Sequence, residues 1–299
     1  MHKRNIRCWA LLCLAVLLCL PTKLLAQEMT QRYRIAVCDW MMLKRQKIGV
    51  FALAREVGAD GVEMDMGPLG QRELFDNQLR DSLQCAKFLE ASKENRVMVP
   101  SIAMSGFFAQ NLLARENYKA LAEDCFNTMK QFGSRIAFLP LGGSGNEWIT
   151  SGAEHDQMVT RLRIIGNLAH QNGLIVGIRT GQDAHYDKKL LKEIGSKGIR
   201  VYFNLQDAVD NHRDPCKELR ILGRKRICQI HASLTDSVTL DVDPRIDLPR
   251  IRQTLDKMHW CGWLVVERSR DTNRIRDVKY NFSTNVEYLK EVFKMKNED

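Results

Sequence analysis

The sequence predicts a single (β/α)8 barrel, a closed ring of eight parallel strands surrounded by helices. Eight short apolar runs recur along the chain, and an amphipathic segment with apolar residues three and four apart follows each of them. Strands that alternate with helices form parallel sheets with right-handed crossovers, and eight such units favour a closed barrel over an open sheet. No Gly-x-Gly-x-x-Gly motif follows the first strand, which argues against a dinucleotide-binding sheet.

The predicted elements follow one another in order along the chain. Strands are predicted at 34–40, 58–66, 96–104, 134–141, 173–180, 198–205, 226–233 and 262–269. Helices are predicted at 46–57, 71–93, 112–131, 154–171, 187–196, 215–223, 248–259 and 283–295. Gly58, Gly173, Gly198 and Gly262 each follow a helical pattern, where glycine suits a left-handed cap. The sequence GGSG at 142–145 is interpreted as a tight loop, with backbone contact to a ligand as the alternative.

The first residues have the layout of a secretory signal peptide. Basic residues stand at Lys3, Arg4 and Arg7. They precede the apolar run CWALLCLAVLLCL, and the segment closes with LLA before Gln27. We expect residues 1–26 to be the signal peptide, 27–299 to be the barrel domain, and the protein to be periplasmic or secreted. A membrane anchor is the alternative, but the apolar run is shorter than the roughly 20 residues of a spanning helix, so no membrane partner is expected after signal removal.

Charge and cysteine content argue against two further classes of protein. The formal net charge of +9 falls to +5 without the four basic residues of the leader, and the remaining charges form no block, so no nucleic-acid partner is expected. Six of the nine cysteines lie beyond the leader, and none belongs to a Cys-x-x-Cys pair, so a zinc–thiolate site is not expected. A core of this size does not need disulfides either.

Four apolar runs in the C-terminal half end in polar residues. These are Arg179 in GLIVGIRT, Asn204 in IRVYFNLQDA, His231 in RICQIHAS and Glu267 in GWLVVERS. In a (β/α)8 barrel the carboxyl ends of the strands converge on one site, so these side chains are candidates for a common function. Trp40 and Glu63, on the first two predicted strands, belong to the same candidate set.

The order of these segments resembles the xylose isomerase-like barrel superfamily of sugar isomerases, epimerases and sugar phosphate isomerase/epimerase-like proteins. GADGVEMD resembles the family's second-strand motif, VGIRTGQDA its fifth, VYFNLQDAVDNHRDP its sixth, ICQIHAS its seventh and CGWLVVERS its last. The resemblance spans residues 34–295. It implies a barrel that acts on a small-molecule carbohydrate at its C-terminal mouth; the oligomeric state is left open.

The family resemblance also implies a divalent cation, Mn²⁺, Mg²⁺ or Zn²⁺, held by Glu, Asp, His and Glu. In this chain only His231 and Glu267 match, because Arg179 stands for the first Glu and Asn204 for the Asp. Asp207 is expected to reach the site only if the sixth strand ends differently. The four side chains then carry no net charge, and a guanidinium would repel a nearby cation. We therefore expect a degenerate metal site and no cofactor, with His231 and Glu267 as ligands only if other residues rescue it. Arg179 is expected to occupy the cation's place and to pair with Glu267.

The candidate residues divide into two predicted roles. Glu63, His231 and Glu267 are predicted to be catalytic acids and bases, and Trp40, Arg179 and Asn204 are predicted to contact the substrate. Structural alternatives remain: Glu267 as an ion-pair partner, His231 as a core histidine, Glu63 as a strand-end carboxylate and Trp40 as core packing.

Three functions fit these residues. The first is a sugar isomerase or epimerase that works without its metal, and the second is a non-catalytic carbohydrate-binding relic of the fold. The third is a lyase or hydrolase that acts on oxidised sugars, which the cationic Arg179 and the predicted export suggest. Export also favours unphosphorylated sugars over sugar phosphates.

Overall fold

A computed structural model describes residues 32–141 and 151–294. Eight parallel strands pair in sequential order and close into a barrel, in which the first strand also pairs with the eighth. The strands are β1 Tyr33–Cys38, β2 Gly61–Asp65, β3 Ser101–Ala103, β4 Ile136–Pro140, β5 Ile175–Arg179, β6 Ile199–Asn204, β7 Ile227–His231 and β8 Gly262–Val266. The predicted (β/α)8 barrel is thus confirmed. The predicted signal peptide and the GGSG segment lie outside the described residues.

The described helices surround the strands. They are α1 Asp39–Met42, α2 Val50–Glu56, α3 Ser82–Asn95, α4 Tyr118–Phe132, α5 Gly152–Gln171, α6 Ala184–Ile194, α7 Leu205–Asp210, α8 Pro215–Leu222, α9 Leu248–Lys257 and α10 Val278–Phe293. Single 3₁₀ turns lie at Gln78–Arg80, Ser105–Phe108, Leu112–Ala114 and Thr272–Arg274.

Capping side chains explain where two helices begin. The helix predicted at 71–93 begins only at Ser82, because the Asp81 carboxylate accepts a hydrogen bond from the backbone N–H of Gln84. The helix predicted at 283–295 begins earlier, at Val278, where Asp277 accepts from the backbone N–H of Tyr280. Helices α1 and α7, which start directly after β1 and β6, were not predicted.

The apolar core lies mostly between the strands and the helices, and a smaller cluster fills the barrel interior. The interior cluster comprises Ala36, Cys38, Ala103, Phe138, Tyr202, Cys228 and Val265. The polar side chains of Glu63, Ser101, Gln229 and His231 are also fully or almost fully buried. Burying polar groups is costly unless they are hydrogen-bonded, so this interior needs an internal network.

Glycine conformation agrees with the sequence analysis at two joins and differs at a third. Gly58 and Gly173 have φ of 81° and 69°, the left-handed region expected of a helix cap. Gly198 has no positive φ, but a Cβ there would lie 2.0 Å from the carbonyl oxygen of Gly166. It is therefore required for the close approach of α5 to the start of β6.

Two further observations concern the length of the helices and the state of the cysteines. In the part of the chain that the structure describes, no helix is long and apolar enough to cross a membrane. The six cysteines in these residues are free thiols, five of them buried.

Candidate functional site

A cavity of about 450 Å³ opens at the carboxyl ends of the strands. We call it the mouth cavity; the residues that matter for its chemistry are Trp40, Arg45, Phe108, Arg179, Asp207 and Glu267. Three of the predicted site residues, Trp40, Arg179 and Glu267, line it. The other three, Glu63, Asn204 and His231, do not line it and lie deeper.

Arg179, the last residue of β5, has three neighbours in the mouth cavity. Its Nε and Nη2 donate hydrogen bonds to the two carboxylate oxygens of Asp207, at 2.8 and 2.6 Å. Its Nη1 lies 3.9 Å from Oε2 of Glu267. Its Cζ lies 5.6 Å from the centre of the Phe108 ring, which adds a cation–π contact. A forked donor held on three sides is a rigid source of hydrogen bonds.

Arg179 does form an ion pair with Glu267, at 3.9 Å, but its main partner is Asp207. Asp207 was expected to reach the site only if the sixth strand ended differently, yet β6 ends at Asn204, within one residue of its predicted end. Asp207 reaches the cavity because α7 begins immediately after the strand and turns this side chain back toward β5. The mouth therefore carries one more negative charge than the sequence analysis counted.

Glu267 connects the mouth cavity to the barrel interior. It follows β8 directly, is 4% exposed, and its Oε2 lies 3.6 Å from Nδ1 of His231. The hydroxyl of Ser233 accepts hydrogen bonds from the backbone N–H groups of Glu267 and Arg268, at 3.2 and 3.1 Å. Ser233 thus fixes the backbone that presents Glu267, a role that the sequence analysis did not foresee.

His231 lies below Glu267 and is fully buried. Its Nε2 lies 3.0 Å from Oε1 of Glu63. Because a carboxylate oxygen accepts, we place the proton of a neutral imidazole on Nε2, which leaves a lone pair on Nδ1. Nδ1 has no hydrogen-bond partner among the described residues and faces Glu267. The lone pair of Nδ1 is therefore available to a proton donor at the position of Glu267.

Glu63 is the acceptor at the centre of the interior network. Its Oε2 accepts hydrogen bonds from the hydroxyls of Ser101 at 2.6 Å and Tyr202 at 2.8 Å. The amide of Gln229 donates to both of these hydroxyl oxygens, each at 2.8 Å. Glu63 stands in the middle of β2 and has no exposed surface, so it holds His231 in place and does not meet a ligand directly.

Asn204 is directed away from the mouth cavity. Its side-chain oxygen caps α7 by accepting from the backbone N–H of Gln206 at 2.8 Å. It lines a separate inner cavity of about 10 Å³ together with Asp187, Arg213 and Glu218. Its Nδ2 is buried without a hydrogen-bond partner among the described residues. A space of this size is about that of one water molecule, which could serve Nδ2.

Aromatic rings form part of the wall above His231. The Trp40 ring meets the His231 ring edge-on, with 6.4 Å between ring centres. Phe108 packs against Phe138, whose ring lies 4.8 Å from that of His231. His185, which follows the fifth strand, is exposed in the first turn of α6 and does not line the mouth cavity.

Two buried acids at the ends of β1 and β2 hold the loop that carries Arg45. Asp39 accepts hydrogen bonds from the backbone N–H groups of Gln46 and Asp65, at 2.8 and 3.1 Å. Asp65 forms an ion pair with Arg45, whose Nε lies 2.9 Å from Oδ1 of Asp65. Burial, followed by the charge of Asp65, raises the pKa of Asp39, and burial also raises the pKa of Asp65. Both acids lie near the carboxyl ends of the first two predicted strands, but the sequence did not indicate that they hold this loop.

Asp187, which lines the inner cavity, is expected to make the free energy of unfolding depend on pH. Burial raises its pKa from 3.8 to about 7, although the Thr180 hydroxyl donates a hydrogen bond to it at 2.5 Å. Between these values the folded protein holds a proton that the unfolded chain has released. The free energy of unfolding should therefore fall as pH rises from about 4 to about 7 and then level off.

We expect Asp187→Asn to be more stable than the parent protein at pH 8, by up to about 4 kcal/mol, because asparagine stays neutral and keeps an acceptor for Thr180. Thermal unfolding at pH 5 and pH 8 measures the difference, which should shrink at the lower pH. The exposed Asp241→Asn is the matched control, with little change at either pH. Equal effects of Asp187→Asn at both pH values would contradict the assignment.

Within residues 32–141 and 151–294, no cluster of three or more His, Cys, Asp or Glu side chains is arranged to hold a metal ion. The carboxylates of the mouth face the guanidinium of Arg179, and Nε2 of His231 faces Glu63. This donor set does not fit a divalent cation, because a fixed positive charge occupies the space between the two acids.

The comparisons with known proteins agree on the fold. Solved structures of similar shape include D-psicose 3-epimerase in the presence of D-fructose, with a TM-score of 0.68 and 12% identity, over 88% of this chain and 100% of the other. An L-ribulose 3-epimerase has a TM-score of 0.69 and 13% identity, over 88% and 95%. The 3-keto-D-glucoside 4-epimerase of E. coli has a TM-score of 0.67 and 15% identity, over 87% and 99%. No curated protein matches the chain in sequence.

A family model covers most of the barrel. The model described as xylose isomerase-like TIM barrel matches residues 51–292, from α2 to the end of α10. The match includes β2 and every later strand, and hence all predicted site residues except Trp40. The chain therefore belongs to the xylose isomerase-like TIM barrel family.

Proposed function

We propose that this protein moves a proton at a carbon next to a carbonyl group of an unphosphorylated sugar, in the mouth cavity and without a divalent metal. The observation that carries the proposal is Arg179, fixed between Asp207 and Glu267. The similar solved structures named as sugar epimerases support a reaction of this class.

Arg179 supplies the positive charge for the proposed reaction. When a proton leaves the carbon, negative charge develops on the neighbouring carbonyl oxygen. A fixed donor stabilises that oxygen once the bound substrate has displaced water from the site. The remaining donor of Arg179, Nη1, points toward Glu267 without a short hydrogen bond, so it is available to a substrate oxygen. No step of the proposal requires a metal.

Glu267 is the proposed base. It takes a proton from the carbon next to the carbonyl group, and the electron pair of that C–H bond moves to the carbonyl oxygen. For isomerisation, the hydroxyl proton on the deprotonated carbon moves to the former carbonyl oxygen, a new carbonyl group forms at the deprotonated carbon, and the former carbonyl carbon takes the proton from Glu267. For epimerisation, a proton from water adds to the other face of the same carbon, and Glu267 releases its proton to water. His231, at 3.6 Å, stabilises Glu267 by sharing its proton through the free lone pair of Nδ1. Asp207, on the other side of Arg179, holds the guanidinium and is the second carboxylate of the cavity.

The wall of the cavity suits a sugar. Its volume of about 450 Å³ lies in the range of small-molecule sites. Trp40 and Phe108 offer apolar faces to the C–H surface of a ring, while Arg45 and Arg268 offer donors to hydroxyl groups. The predicted leader, which would export the protein, favours unphosphorylated sugars.

A carbohydrate-binding protein without catalysis is the second candidate. It is favoured by the full burial of Glu63 and His231, which leaves Glu267 and Asp207 as the acids of the cavity wall, both near the same arginine. Both carboxylates form ion pairs with Arg179, which engages them in the absence of a substrate.

Solvent-deuterium exchange separates these two functions. Unphosphorylated ketoses and aldoses, incubated with the protein in D₂O, should gain deuterium next to the carbonyl carbon at a rate that EDTA does not change. Glu267→Gln should slow the exchange by about 10²-fold or more, because the variant has no base. Thermal stabilisation by a sugar without exchange would favour the binding protein, and loss of exchange in EDTA that Mn²⁺ restores would contradict the proposal.

A further inference from the structure

A second concave site lies at the opposite end of the barrel from the mouth cavity. It has a volume of about 750 Å³ and is formed where β5, β6 and β7 begin, beside α6 and the end of α5. We call it the basic cleft; its charged residues are Lys188, Lys192, Lys197, Arg200, Lys225 and Arg226. Strands of five or six residues separate it from the mouth by roughly 15–20 Å, so the two sites bind independently.

All the charged side chains that line the basic cleft are positive. Six lysine and arginine side chains line it and no Asp or Glu does. All six residues are exposed, so their charges face solvent inside a concave surface. Like charges gathered in this way raise the local positive potential and attract anions.

The described residues contain no ion pair for any of the six. Elsewhere the surface cations are commonly paired, as Arg245 is with Asp243 and Arg270 with Asp236, both at 2.6 Å. On α6 itself, Lys189 pairs with Glu193 at 3.5 Å, on the side of the helix away from the cleft. The cleft therefore combines repulsion between its cations with an absence of internal acids, and this arrangement favours an external anion.

The lining also indicates the type of anion. Four of the six cations are lysines, which act as point charges toward sulfate and phosphate oxygens more than as forked donors. No Phe, Tyr or Trp lines the cleft, so the broad stacking surfaces typical of sites for nucleic-acid bases are missing from it. The concave shape suits a compact ligand better than a flat membrane surface.

We propose that the basic cleft binds an oligoanion that carries two or more sulfate or phosphate groups. The charges are spread over α6, the start of β6 with the turn before it, and the turn before β7, so one small ion does not satisfy them all. Leu174, Ile175, Leu191 and Ile199 give the cleft an apolar part for the body of the ligand. The proposal is independent of the reaction proposed for the mouth cavity.

Binding of two probes to the protein without its leader tests this inference. A heparin-derived hexasaccharide represents sulfate groups, and inorganic tripolyphosphate represents phosphate groups. At least one should bind in calorimetry, and the affinity should fall as salt screens the charges. Lys192→Glu combined with Lys225→Glu should weaken binding about tenfold or more, since each reversal acts on a nearby anion.

The matched control reverses two exposed lysines on α3 and α4, Lys87→Glu with Lys119→Glu, which changes the net charge equally. This control should keep the affinity within about twofold. Binding of the hexasaccharide alone identifies a sulfated glycan, and binding of tripolyphosphate alone identifies a phosphorylated ligand. Absence of binding to both probes, or an equal loss in the control, would overturn the inference.

Discussion

Replacing Glu63 by alanine is expected to lower the free energy of unfolding by about 3–5 kcal/mol, because the residue and its hydrogen-bond partners are buried. The Glu63 carboxylate accepts from Ser101, Tyr202 and His231 at 2.6 to 3.0 Å. Removing it leaves three buried donors without an acceptor, and each costs about 1–3 kcal/mol before relaxation. It also leaves a cavity inside the barrel.

Urea denaturation followed by circular dichroism measures this effect. Glu63→Gln should lose less stability than Glu63→Ala, because the amide keeps one acceptor oxygen but turns an N–H₂ toward hydroxyl donors. Glu90→Ala, an exposed position on α3, is the control and should change stability by less than about 0.5 kcal/mol. A Glu63→Ala protein as stable as the control would show that the interior network does not stabilise the barrel.

The fold could be predicted because its signals are periodic. Each strand and the helix after it repeat a short apolar run and a three-to-four spacing, and β5 to β8 begin and end within three residues of their predicted positions. Helix starts were less certain, because a single capping carboxylate such as Asp81 decides them. α7 was missed because it begins at Leu205 with no intervening loop residue to mark the change.

The site could be predicted only in part, because alternation along a strand tells which way a side chain points but not how deep it lies. Arg179 and Glu267 line the mouth cavity. His231 also ends its strand, but it is covered, since Glu267 and Trp40 lie next to it. Asp207 was set aside because its position depends on the first turn of α7, which the periodicity does not reveal.

Replacing Arg179 by glutamate is expected to have the second large effect. This variant tests whether the guanidinium takes the place of a cation. In the parent protein Arg179 lies 2.6 Å from Asp207 and 3.9 Å from Glu267. Arg179→Glu would gather three carboxylates beside His231, so the variant should lose about 3–5 kcal/mol of stability from their repulsion. It should also acquire affinity for Mn²⁺, because hard oxygen ligands replace the guanidinium.

Thermal unfolding with and without Mn²⁺ separates these consequences. Mn²⁺ at 100 times its dissociation constant adds about 2.7 kcal/mol, so the midpoint of Arg179→Glu should rise by about 5 °C or more. Arg179→Met is the companion variant. It should be destabilised because Asp207 and Glu267 lose their shared partner. It should also bind Mn²⁺ more weakly than Arg179→Glu, because it lacks the third carboxylate. The parent protein should show no rise. If the parent and Arg179→Glu rise equally, the cation binds elsewhere, and Arg179 cannot be its replacement.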